Sequence, residues 1–153
     1  MQLSDVFLGL GEENFGELLR TVSIGKLRTY HLYERFKVRA HFSKLNSEAL
    51  RRAAPQLFAR MKEQDDEYAT DVAQIVLVSH LDMIQAVLNF LGVPHEDGFF
   101  AKDTDVSQYL TDGWQQRVFD QFSGVYPKSA LIFYLNHLAW EITKGAELFR
   151  PAA

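Results

Sequence analysis

Cysteine is absent from all 153 residues, which removes disulfides, thiolate metal sites and a cysteine nucleophile from consideration. Proline is scarce, with four in all, so few positions force the backbone out of regular structure. No stretch of five or more residues keeps the apolar–polar alternation of a half-buried strand, and no internal repeat or low-complexity tract occurs. A Gly-rich phosphate loop and an H-E-x-x-H zinc motif are missing as well. The opening MQLSDVFLGLGEEN has neither a basic leader nor an uninterrupted apolar run, so no signal peptide is expected and the expected location is cytoplasmic.

What is present is helix-period amphipathicity over about one domain's length. A hydrophobic share of 47% with 24% charged residues is enough to build a single core, and the expectation is one domain over residues 1–153. The net charge of −4 conceals an asymmetry: residues 20–62 hold eleven Lys and Arg against Glu34 and Glu48. From Glu63 onward, fourteen acids face five bases. The two halves are therefore expected to pack against each other, within one subunit or across a homodimer. The Arg28, Arg35 and Arg39 face lacks interleaved aromatics, so a nucleic-acid partner is not expected.

In chain order, residues 3–22 read as a helical lead-in broken by Gly9 and Gly11, with Glu12 and Glu13 at the positive start of the next helix. Residues 26–44 read as a basic amphipathic helix after a joint at Ser23-Ile24-Gly25. Ser47 is a good N-cap for a helix over residues 48–64, in which Pro55 predicts a kink or break near Ala54. Residues 65–92 read as one continuous central helix, started by Asp65, Asp66 and Glu67 and stopped by Gly92 and Pro94. On a helical wheel its polar residues fall within a strip about 80° wide. His80 lies opposite that strip, at what should be the driest position. The stretch is long enough to span a bilayer, but Gln74, His80, Asp82, Gln85 and Asn89 make that costly, so a core helix and no membrane partner are expected. Residues 95–105 read as loop, 105–110 as a short helix, 113–122 as a helix capped by Asp112, and 128–149 as the last helix. The predicted fold class is all-α: an antiparallel, up-down four-helix bundle with additional short helices.

The last helix carries an apolar stripe and, on its other side, Phe133, His137, Trp140, Glu141 and Lys144. His137 and Glu141 stand i and i+4, so their side chains project together and suit two ligands on one ion. His80 is the natural third ligand, completing a His₂–carboxylate set with open positions. The bland alternatives are a hydrogen-bonded core His80, a surface His137–Glu141 pair, and packing or dimer-contact roles for Trp140, Phe133 and Tyr134. His31, His41 and His95 read as solvated.

Three segments resemble the DinB-like family of metal-binding four-helix bundles. Ser79-His80-Leu81 with the apolar run to Gly92 is similar to its second helix, and Asn136-His137-Leu138-Ala139-Trp140-Glu141 to its last. Residues 30–50, from Tyr30-His31-Leu32 through Leu45-Asn46-Ser47, resemble its opening helix and turn. The resemblance implies one divalent cation (zinc, nickel, iron or manganese) held by His80, His137 and Glu141. Glu141 stands where the family places a third histidine, and Ile142-Thr143-Lys144 replaces its usual R-G-Q. It further implies a metal-dependent transferase or related enzyme whose metal lowers a thiol's or water's pKa. Phe133, Tyr134 and Trp140 would wall the pocket, and Lys144 would stand at its mouth. The competing expectation is a non-enzymatic helical module, acting through dimerisation or a protein partner, with a vestigial site.

Overall fold

The computed structural model describes residues 1–29, 46–144 and 147–152. Among them the chain is mostly helical, as the periodicity predicts: α1 (Leu3–Leu8), α2 (Glu12–Arg20), α3 (Ile24–Thr29), α4 (Ser47–Met61), α5 (Asp66–Ser79), α6 (Leu81–Leu91), α7 (Trp114–Phe122) and α8 (Lys128–Thr143). The strands β1 (His95–Glu96) and β2 (Phe99–Phe100) and a 3-10 turn (Val106–Tyr109) complete the list. The chain divides into two compact units, Gln2–Ser79, and His80–Ala153 together with Met1. Most of the predicted basic helix, including His31, Arg35, Arg39 and His41, lies outside the described residues.

In the unit Gln2–Ser79, short helices are tied by their ends and by an aromatic core. Gly11, at φ 80°, precedes α2, and Glu12 and Glu13 fill its first turn beside the exposed N–H groups. Ser23 Oγ accepts the Lys26 amide at 3.3 Å, which makes the predicted joint the cap of α3. Asn46, rather than the expected Ser47, caps α4 by accepting the Ala49 amide at 2.9 Å. Either residue type has the required short acceptor; the backbone here puts Asn46 in the extended cap conformation. Of the kink or break predicted near Ala54, the break is absent: α4 runs as one helix through Pro55. Pro55 is exposed, so water can satisfy the Arg51 carbonyl that lacks an i+4 donor. Phe15 is the core's centre, edge-on to Phe7 at 5.8 Å and tilted against Phe58 at 5.5 Å. Gly16 allows α2 and α4 to approach closely, since a Cβ there would sit 3.3 Å from Arg51 Cδ and 3.5 Å from Ala54 Cβ.

The predicted central helix over residues 65–92 is two helices. α5 starts as expected, with Asp65 Oδ1 accepting the Tyr68 amide, but it ends at Ser79. Ser79 Oγ donates back to the Ile75 carbonyl at 2.8 Å and accepts the Ser23 amide at 3.0 Å, local bonding that competes with the helical ladder. His80 follows at φ −128°, ψ 35°, outside helical geometry, and its carbonyl starts α6 by accepting the Ile84 amide. His80 is half-buried, which corrects its expected place at the dry centre of a continuous helix. Among the described residues no single helix is long and apolar enough to cross a membrane.

In the second unit, α6 ends as expected. Gly92 is left-handed, and the Gly92 and Val93 amides bond the Asn89 and Leu88 carbonyls in the Schellman pattern. The predicted loop over residues 95–105 contains a hairpin with His95 opposite Phe100 and Glu96 opposite Phe99. Its two-residue turn is Asp97-Gly98, both at positive φ (53° and 94°), as a type I′ turn demands. His95 is not merely solvated: Nδ1 accepts the Gly98 amide at 3.1 Å, and Nε2 is 2.7 Å from Asn89 Oδ1. The short helix predicted at 105–110 is the 3-10 turn, capped by Asp105, which accepts the Ser107 amide. Gly113, not Asp112, occupies the cap position of α7, at φ 77°, while Arg117 binds the Asp112 carbonyl at 2.6 Å.

Candidate functional site on the last helix

The helix buried on nearly every side is α8, where all residues from Ala130 to Leu138 except Ile132 are buried. Of its aromatic and ionisable face, Phe133, Tyr134 and His137 are buried, Trp140 is half-buried, and Glu141 and Lys144 reach the surface. α8 ends at Thr143 instead of the predicted Phe149, because Lys144 turns left-handed at φ 51° while its amide still reaches the Trp140 carbonyl. That reversal holds Lys144 Nζ 3.9 Å from the Trp140 ring centroid, a cation–π contact.

His137 is only 8% exposed and is flanked by Phe133 and Trp140, with ring centroids 5.7 and 5.9 Å away. Its Nδ1 is buried without a hydrogen-bond partner and lies 3.9 Å from Glu141 Oε2, too far for a direct hydrogen bond. Burial, helped by the Lys144 charge, pushes the imidazole pKa down to about 4. Burial also raises the Glu141 carboxyl, with Lys144 opposing, although the Glu141 side chain is still 47% exposed. Tyr134, buried on the same helix, is pushed well above the ordinary phenol range, by burial first and by Glu141 second. Trp140 donates Nε1–H to the Met1 carbonyl at 2.9 Å.

At neutral pH this arrangement offers a neutral imidazole with an unengaged nitrogen and a carboxylate more basic than usual. Both properties suit metal ligation, which needs His unprotonated and the carboxylate ionised. The spacing of 3.9 Å admits one ion or one water between the two atoms, given metal–ligand bonds of roughly 2 Å. Phe133 and Trp140 contact the His137 ring, Lys144 lies over Trp140, and Tyr134 feels the Glu141 charge. The expected third ligand is not gathered in: among the described residues no three His, Asp or Glu side chains converge to hold a metal. His137 and Glu141 are the two of the three expected ligands whose proximity the helix itself provides, and His80 begins α6.

Asn136, next to His137, has a role that motif spacing did not reveal. It is 4% exposed, and its amide bonds both backbone groups of Phe149 and the Ile132 carbonyl. The available signal was Gly145, a weak helix former, with Pro151 unable to continue a helix. No family model, curated protein or solved structure matches the chain.

Proposed function

We propose that the chain is a metal-binding helical protein of the DinB-like type, its helices arranged as the up-down bundle of that family. His137 and Glu141 hold one divalent cation. The observation that carries this reading is the buried Nδ1 of His137, without a hydrogen-bond partner and 3.9 Å from the Glu141 carboxylate. A buried polar nitrogen left unpaired destabilises a fold, so its retention beside a second ligand type is explained by an ion's electron-pair demand. Such an ion is a Lewis acid that lowers the pKa of a bound thiol or water, the chemistry of a metal-dependent transferase. The chain's own contribution is to keep imidazole unprotonated by burial and to wall the ion with Phe133, Tyr134 and Trp140. Lys144 opposes the metal's charge and favours an anionic substrate group at the mouth. Zinc, nickel, iron and manganese are the metals this donor pair accommodates.

Untagged protein tests the reading directly. Equilibrium dialysis against Zn²⁺, Ni²⁺ and Mn²⁺ should give one bound ion per chain, and His137→Ala and Glu141→Gln should each weaken binding at least about tenfold. No uptake, with an unchanged melting midpoint in the presence of each metal, overturns the metal reading and leaves a non-enzymatic helical module.

A further inference from the structure

The C-terminal segment is held by its own unit in the manner of a peptide ligand. The Phe149 amide donates to Asn136 Oδ1 at 2.6 Å, and the Phe149 carbonyl accepts from Asn136 Nδ2 at 3.2 Å. One side-chain amide thus pairs with both backbone groups of one residue, as a neighbouring strand would. Three residues on, the Ala152 amide donates to Gln116 Oε1 at 3.0 Å. Pro151, between them, has no N–H to place. The Phe149 ring meets Phe119 of α7 edge-on, with centroids 6.3 Å apart.

The receiving groups have partners on their own helices as well. Asn136 Nδ2 also bonds the Ile132 carbonyl one turn back, and Gln116 Nε2 is tied to Asp120 Oδ1 at 2.9 Å. The tail itself is loosely embedded: Glu147 and Arg150 are exposed, and Leu148, Phe149 and Pro151 are only half-buried. A preorganised pair of main-chain readers beside an aromatic contact recognises extended backbone and one ring, and little else.

We propose that Asn136, Gln116 and Phe119 form a docking site for an extended peptide carrying one aromatic residue, and that Phe149–Ala152 is its reversible intramolecular occupant. The inference is independent of the metal reading. A tethered occupant acts at high effective concentration, so an outside peptide competes well only when the tail is weakened.

The probe is a fluorescent synthetic peptide with the sequence of residues 148–152, read by anisotropy against full-length protein. Phe149→Ala should bind it at least about tenfold more tightly than wild type. Adding Asn136→Ala should abolish that binding while the helical circular dichroism persists. Equal binding by wild type and Phe149→Ala, or none by Phe149→Ala, overturns the proposal, as does binding indifferent to Asn136→Ala. Should the double variant fail to fold, hydrogen exchange on wild type decides. Phe149 and Ala152 amides should exchange through a local opening, faster than Leu135 and Leu138 and independently of denaturant. Exchange of both only with global unfolding overturns it.

Discussion

His137→Leu separates a histidine kept for chemistry from one kept for packing. The unpaired Nδ1 destabilises the fold by about 1–3 kcal/mol, and leucine removes that burden while filling a similar volume. Against this stand the ring contacts with Phe133 and Trp140, each worth roughly 0.5–1.5 kcal/mol. The effects nearly cancel, so at pH 7 the variant should lie within about 1 kcal/mol of wild type, where truncating a satisfied core residue costs about 2–5. Acid then separates the two. In the folded, metal-free protein the imidazole pKa is about 4 through burial and Lys144, against 6.5 in the unfolded chain. Between those values the unfolded state carries the extra proton, so this contribution is intact above pH 6.5 and is lost as pH falls toward 4. At about 1.4 kcal/mol per unit, wild type loses about 2 kcal/mol by pH 5 that the leucine variant keeps. The raised Glu141 carboxyl acts in the opposite sense, but it is present in both proteins and largely cancels from the difference. Urea midpoints in chelator at pH 7 and pH 5 measure both effects, and added Zn²⁺ should raise only the wild-type midpoint. A variant more than about 2 kcal/mol less stable at pH 7, with the same gap at pH 5, would refute the reasoning.

Tyr68 poses the same question in the other unit: its hydroxyl is buried without a partner, while Arg60 stacks 4.7 Å from the ring centroid. Tyr68→Phe should therefore be neutral or stabilising by up to about 1 kcal/mol in chemical denaturation. Gly98→Ala should lower the melting midpoint by a few degrees, about 1–2 kcal/mol. Its φ of 94° strains any L side chain, and the new Cβ would press Ile84 Cγ2 at 3.4 Å. At Gly16 two substitutions should differ in sign. Alanine gains up to about 1 kcal/mol of helix propensity, because the 3.3 Å neighbour is the flexible Arg51 side chain. Leucine should destabilise by about 1–3 kcal/mol through overpacking between α2 and α4, and thermal melts of the pair decide.

How much of this was legible follows from which forces are local. Helix starts and stops rest on short-range chemistry, and the acids of α2 and α5, Gly92 with Pro94, and Asp105 all act where the sequence puts them. Asn46 and Ser47 show the limit, since both can cap and the choice depends on one residue's ψ. The Asp97-Gly98 hairpin was readable from its dipeptide, but strands of two residues give no alternation to confirm it. The break at His80 was not readable. Its flanks keep an unbroken 3.6-residue pattern, and the interruption depends on Ser79 meeting the Ser23 amide, 56 residues away in the chain.

The site was legible to the degree that one helix carries it. Four-residue spacing brings His137 beside Glu141 with no help from the rest of the fold, whereas Lys144 reaches Trp140 only through the left-handed turn that ends α8. A ligand from another helix requires tertiary geometry, and the expected burial of His80 rested on one continuous helix. An apolar arc predicts burial only if the helix continues, and this helix stops at the residue in question. A mixed aromatic and ionisable face reads as amphipathic by composition, yet in α8 Phe133, Tyr134 and His137 of that face are buried, with His137 neutral at physiological pH, while Glu141 stays half-exposed. An interior imidazole that stays uncharged by burial, with one nitrogen uncommitted, is a costly thing for a core to hold. That is the physical reason to look for chemistry at α8 rather than at the helix break.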